Sequence, residues 1–274
     1  MKKIALSATL LALTSSMVLG QSSYFRFSVG YGIPAATEQL ATKGIFTSTQ
    51  SGFSGTEEGV YGSLGSGVVL NAAYGRMFSK NAGMDINMQY LLGKTYEGGF
   101  SSTGTNSSST ISTNGFLLSP CVVLTTGEGK LKPYTKFGFS VGLINAVQKS
   151  KISPTTGTTS QTTEIRTEIG GGVSFGFQGG FGIDFGLSEK VNFFTEVVLT
   201  SMSFYPNESK VTEFKVDGVD QASMHRTTLY KESVTISSTA PAPSGSTREA
   251  LQISAPLSSL CLNAGIRLRL KSKE

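Results

Sequence analysis

Tryptophan is absent, histidine occurs once and cysteine only twice in this chain of 274 residues. Two cysteines, Cys121 and Cys261, cannot build a disulfide framework. With His225 as the sole histidine and no CxxC, no metal-ligand spacing exists and no cofactor is implied. Charge is scarce too: 15 % of residues are Asp, Glu, Lys or Arg, against about 25 % in ordinary domains. That shortage excludes coiled coils and charged helical bundles. The net charge of +5 is scattered. No Lys/Arg cluster tracks a phosphate backbone, which excludes nucleic acid as a partner. No stretch reaches the roughly 18 apolar residues of a membrane-spanning helix.

Small and hydroxyl residues are abundant instead: 33 Gly, 38 Ser and 30 Thr, beside 17 Phe and 9 Tyr. With 38 % apolar residues the chain is not disordered in composition. The balance suits many short strands joined by polar connections. The first twenty residues read differently. Lys2-Lys3, the apolar run Ile4–Leu13, and Val18 and Gly20 before Gln21 have the layout of a secretory signal peptide. The expected mature chain is 21–274.

Alternation dominates that mature chain, and residues two apart in a strand share a face. Phe25, Phe27, Val29 and Tyr31 fall opposite Arg26, Ser28 and Gly30. Ile86, Met88 and Tyr90 fall opposite Asp85, Asn87 and Gln89. The strongest run sets Val173, Phe175, Phe177, Phe181, Ile183 and Phe185 against Ser174, Gly176, Gln178, Gly180, Gly182 and Asp184. Similar patterns cover 67–79, 115–125, 133–144, 191–204 and 258–270, giving eight strands. The 115–125 strand is apolar on both faces. Short connections (79–83, 127–130, 188–190) alternate with long ones at about 34–66, 98–114, 145–166 and 206–257. Short turns at one end and long loops at the other mark an up-and-down membrane barrel. The predicted fold is all-β: an eight-stranded antiparallel transmembrane β-barrel with long extracellular loops.

The second face is mostly Gly, Ser and Asn, which suits a narrow interior better than a water-facing surface. It also carries Arg26, Asp85, Lys136, Asp184, Glu196, Arg267 and Arg269. Inside a barrel these charges must pair, because an unpaired buried charge is costly. A side-chain-filled lumen with a charge network follows, and Arg267 with Glu196 is the expected first pair. Tyr31, Tyr74, Phe78, Tyr90, Phe116, Tyr134 and Tyr205 lie towards strand ends, where membrane interfaces gather aromatics.

The first strand, Tyr24-Phe-Arg-Phe-Ser-Val-Gly-Tyr-Gly32, and the run Pro133-Tyr-Thr-Lys-Phe-Gly-Phe-Ser-Val-Gly142 resemble the OmpA/OmpX-like small outer-membrane β-barrel proteins, with a Bacteroidetes-type flavour. The resemblance covers the mature chain as a pattern. It implies barrel topology, an outer-membrane location and surface exposure, and no reaction. Many such proteins end on an aromatic residue; this sequence ends Leu268-Arg-Leu-Lys-Ser-Lys-Glu274.

Other constellations are weaker. His225 sits among Asp217, Asp220, Ser223 and Glu232 in the fourth long connection, and neighbours in sequence are not a preorganised triad. Cys121 and Cys261 fall on the fourth and eighth strands, on opposite walls, as free thiols filling the lumen. The glycines of 170–180 keep strand alternation and lack the helix of a dinucleotide fingerprint. Asp217-Gly218 reads as a type I′ hairpin turn, and 240–246 as a flexible break. The expected role is envelope structure or surface interaction and adhesion through the loops, without enzyme activity. Expected partners are outer-membrane lipid and an extracellular protein or glycan. The alternatives are a small passive pore, a lipid A- or envelope-modifying enzyme at His225, and a soluble exported barrel holding an apolar ligand.

Overall fold

A computed structural model describes residues 22–49, 52–102, 104–126, 129–154, 161–234 and 247–270. The expected signal segment and the break at 240–246 lie outside these residues. In chain order the strands are β1 (Ser22–Pro34), β2 (Glu38–Thr49), β3 (Gly52–Gly62), β4 (Gly67–Met77), β5 (Ala82–Gly93), β6 (Tyr96–Ser102), β7 (Thr105–Thr125), β8 (Leu131–Pro154) and β9 (Thr163–Gly170). They continue with β10 (Val173–Gly186), β11 (Val191–Phe204), β12 (Glu208–Val216), β13 (Val219–Asp220), β14 (Thr227–Lys231), β15 (Arg248–Leu251), β16 (Ala255–Pro256) and β17 (Ser259–Leu270). Among the described residues no helix is long and apolar enough to cross a membrane.

Eight strands close on themselves. β1 pairs with β4, β4 with β5, β5 with β7, β7 with β8, β8 with β10, β10 with β11, β11 with β17, and β17 with β1, all antiparallel. This is the up-and-down barrel the alternation predicts. Its stagger follows from the register. Stepping from Tyr24 through Gly75, Asp85, Cys121, Gly138, Gln178, Thr200 and Ser259 returns to the first strand at Pro34, ten residues along. With ordinary strand rise and spacing, that shear over eight strands tilts them by about 40°.

The faces are inverted relative to a soluble protein. Phe27, Val29, Leu70, Met88, Leu118, Phe139, Phe175, Phe177 and Leu262 are exposed, whereas Arg26, Asp85, Asn87, Lys136, Gln178, Asp184, Glu196 and Asn263 are buried. The outward apolar run spans Met84 to Leu92 on β5 and Phe175 to Phe185 on β10. Such spans match the roughly 9–11 residues a tilted strand needs to cross hydrocarbon. A soluble barrel holding an apolar ligand would bury this face, and it does not. Tyr134 departs from the expected interfacial belt: it is 2 % exposed, inside the barrel, because it shares parity with Lys136.

At the base, tight turns are fixed by serine hydroxyls. Ser79 Oγ accepts from the Asn81 and Ala82 amides, and Ser188 Oγ from those of Lys190 and Val191. At the opposite end, much of the chain expected as loop is strand. Residues 98–102 and 105–114 lie in β6 and β7, which pair antiparallel, and β8 runs 24 residues without a break. Above the barrel these strands form an open sheet, a crown, in the order β3–β2–β6–β7–β8–β9–β12–β14–β15. Two of its pairings, β2–β6 and β14–β15, are parallel. The Asp217-Gly218 turn between β12 and β13 has φ of 49° and 81°, the positive pair of a type I′ turn.

Inward glycines make slots for rings. A Cβ on Gly182 would lie 2.5 Å from the Tyr134 ring and 2.8 Å from Glu196 Cβ. We expect Gly182→Val to destabilise the barrel by about 1–3 kcal/mol, the usual cost of overpacking. Urea unfolding in lipid vesicles measures it, and an unchanged midpoint would contradict the slot.

Candidate functional site

The lumen is built in three layers. Nearest the base lie the charges. Arg26 on β1 reaches Glu196 Oε2 at 2.6 Å with Nη2 and Asp85 Oδ2 at 3.3 Å with Nη1. Its Nη2 also donates to the Tyr134 hydroxyl at 2.6 Å, which in turn donates to Glu196 Oε2 at 2.8 Å. Lys136 Nζ lies 2.9 Å from Glu196 Oε1, to which Asn263 Nδ2 also donates at 3.2 Å. The Arg26 guanidinium stacks over the Phe194 ring at 4.1 Å. A second pair joins Arg267 to Asp184, with the guanidinium 4.5 Å from the Tyr24 ring centre. Three cations thus meet three carboxylates. Arg26 and Lys136 are 3 % exposed and Glu196 4 %, so neutrality is what makes the burial tolerable.

Glu196 does not take Arg267, the partner expected from strand order. The register sets Glu196 opposite Asn263 and Arg267 opposite Asn192. Four residues along a strand separate them by about 13 Å. Arg269 also stands apart. It is half-buried at the base rim and makes no ion pair among the described residues, since the lumen carboxylates lie deeper.

The middle layer is neutral. Gln178 Nε2 donates to Gln89 Oε1 at 2.9 Å, Gln89 Nε2 to Asn71 Oδ1 at 2.7 Å, and Asn71 Nδ2 to Asn263 Oδ1 at 3.3 Å. This amide chain crosses the barrel and reaches the charge layer through Asn263. Cys121 is a buried free thiol here beside Gln178, and Cys261, also free, packs with the apolar layer above.

The layer at the crown end is apolar. Leu64, Val69, Leu91, Leu117, Ile144, Met202, Phe204 and Leu257 pack together inside the barrel mouth. Sequence reasoning missed this plug. The one available signal was the 115–125 strand, apolar on both faces. A cavity of about 20 Å³ remains between plug and amides, lined by Val69, Gln89, Leu117, Ile144 and Thr200 among others. That holds about one water molecule.

The crown carries a second polar array. On its outward face, register aligns Lys151, Glu164 and Lys215 in one row and Lys149, Arg166 and Glu213 in the next. Lys151–Glu164 (2.8 Å), Arg166–Glu168 (3.2 Å), Lys210–Glu208 (3.1 Å) and Lys215–Glu213 (2.7 Å) are paired, and Lys231 pairs with Glu249. The Lys151 and Lys215 hydrogen bonds hold the Glu164 and Glu213 carboxyls below the usual range. His225 Nε2 lies 3.0 Å from Asp220 Oδ1, which also accepts from the Phe214 amide at 3.1 Å. These two bonds lower the Asp220 carboxyl. Ser223 and Glu232 do not join them: among the described residues no hydroxyl or thiol bonds His225, and no cluster of three metal-ligating side chains forms.

No protein-family model matches the sequence, and no curated protein matches it. Among solved structures it is similar to the outer membrane protein OprG from Pseudomonas aeruginosa, at 10 % identity and TM-score 0.44 over 92 % of this chain and 97 % of that one. It is also similar to Neisserial surface protein A (NspA), at 10 % identity and TM-score 0.35 over 90 % and 96 %. The barrel itself is established by its closed strand circuit.

Two outcomes follow. Glu196→Ala leaves buried Lys136 without an anion and Arg26 with Asp85 alone, and is expected to cost about 3–5 kcal/mol. The Glu196→Met/Lys136→Met double variant should cost less than the two single changes added together, measured by urea unfolding in vesicles. In the crown, carboxyls lowered by folding contribute order above their ordinary value of about 4.3 and lose it as pH falls through the lowered one. Amide exchange in β9 and β12, corrected for intrinsic rate, should therefore speed up between about pH 6 and about pH 3. Lys151→Ala with Lys215→Ala should remove most of that dependence.

Proposed function

We propose that the chain is a bacterial outer-membrane protein, exported by residues 1–20, whose barrel anchors a crown that engages an extracellular protein or glycan. The observation that supports this best is the filled lumen. Balanced charges, crossed amides and an apolar plug occupy it in turn, which leaves the ordered crown as the part able to meet a partner. Lipid of the outer membrane surrounds the apolar belt. A passive pore would need a continuous polar path, and the plug opposes one. A lipid- or envelope-modifying enzyme would need a nucleophile beside His225, whose side chain bonds Asp220 alone among the described residues.

The first test is electrophoresis of envelope fractions in SDS with and without boiling. A closed barrel shifts mobility on boiling, and a protein recovered soluble and unshifted would overturn the membrane reading. In planar bilayers the purified protein should show no steady conductance above background. Replacing residues 38–62 and 207–254 by short turns should keep the mobility shift and abolish adherence of expressing cells to host or matrix surfaces. Unchanged adherence would assign the role to the remaining crown strands or to the envelope alone.

A further inference from the structure

The crown is an open sheet, and its two edges are finished differently. One edge is β15. It is four residues long and begins Arg248-Glu249, with Glu249 paired to Lys231. Short length and charge are the ordinary ways of blunting an edge. The other edge is β3. It is 11 residues long, contains neither Pro nor Lys, and pairs only with β2 among the described residues. Its opposite side offers a row of backbone donors and acceptors.

Charge distinguishes the same two regions. On the β8–β9–β12 side, Glu164, Glu168, Glu208 and Glu213 each have a cation within 4 Å. Strands β2, β3 and β6 carry Glu38, Glu57, Glu58 and Glu97 against Lys43 alone. None of these four makes an ion pair among the described residues. Glu57 and Glu58 lie on β3 itself and point to opposite faces, as neighbours in a strand must. Glu58 and Glu97 line one groove on the outward face, with Lys43 and Ile45. Glu57 lines another on the inner face, beside Phe46 and Phe100.

We propose that the free edge of β3 takes an extended, cationic polypeptide segment of another protein as an additional strand. Backbone hydrogen bonds to β3 supply the ladder. Lys or Arg side chains at adjacent positions of the segment point to opposite faces and meet Glu58 outside and Glu57 inside, within the cross-strand distance of about 5 Å. A second copy in the same membrane does not fit. Its edge carries the same Glu57 and Glu58, so like charges would face one another across the seam. Each copy has the same edge free, because β2 holds the other.

This inference rests on the crown being the interaction surface. Its test uses the full chain in detergent micelles and a Thr/Lys peptide, a threonine strand with a central run of adjacent lysines, matched in length to the 11 residues of β3. Controls are the Thr/Glu peptide and a Thr/Lys peptide N-methylated at alternate amides. The Thr/Lys peptide should bind saturably and slow exchange of the 54–60 amides by about tenfold or more. Glu57→Lys/Glu58→Lys should weaken it about tenfold, while Glu164→Gln on the paired side should leave it within about twofold. The boiling shift in SDS verifies that each variant folds. Equal binding by the Thr/Glu or N-methylated peptide, or no slowing over 54–60, would overturn the proposal. Such a failure, with crown-dependent adherence intact, leaves the wider reading of the crown standing. Loss of the wider reading would show instead as adherence that ignores the crown.

Discussion

Hydrocarbon gives a peptide group nothing to bond. Every backbone N–H and C=O that faces lipid must therefore find its partner inside the chain, and in this protein the closed circuit of eight antiparallel strands provides it. Much else follows from the closure. A shear of ten over eight strands fixes tilt and diameter, and so the space within. That space is just wide enough for side chains to fill it. The inward glycines let Tyr24 and Tyr134 lie flat against the wall, and those rings then flank the guanidinium groups of Arg26 and Arg267.

The lumen layers divide two tasks. The charge layer ties β1, β5, β8 and β11 together through Arg26 and Glu196, so its worth lies in fixing which strands face each other across the barrel. Losing one partner is costly because the others cannot reach water. The plug at the other end needs no such matching. It is ordinary apolar packing, placed where strands leave the membrane and the wall can no longer rely on closure.

Much of this was legible in the sequence. Period-two alternation located the eight barrel strands and assigned the inner face; of the seven named charges, Arg26, Asp85, Lys136 and Glu196 join one another, Arg267 and Asp184 form a separate pair, and Arg269 stands apart. The partners were not legible. Arg267 meets Asp184 rather than Glu196 because stagger, absent from any local pattern, sets which residues share a level. Arg269 has the right parity and the wrong depth. The crown strands were missed for another reason. In segments such as Thr105–Thr113 both faces meet water or polar neighbours, so Ser and Thr occur without hydrophobic period. Their strand character comes from pairing with neighbours already held by the barrel. The plug residues Val69 and Leu91 were hidden by contrast, being apolar where the pattern asked for polar; Leu117, on a strand apolar on both faces, was the visible one.

β7 and β8 carry one further consequence. They run 21 and 24 residues from base to crown, paired along nearly their whole length. Traction on the crown would load that ladder lengthwise. Its hydrogen bonds would have to fail together, in shear, instead of opening one at a time as they do when a hairpin is peeled from its end. Resistance to force is then set by the height of the unfolding barrier. A cell held by this crown would be held by the barrel wall itself, with no hinge between the point of grip and the membrane.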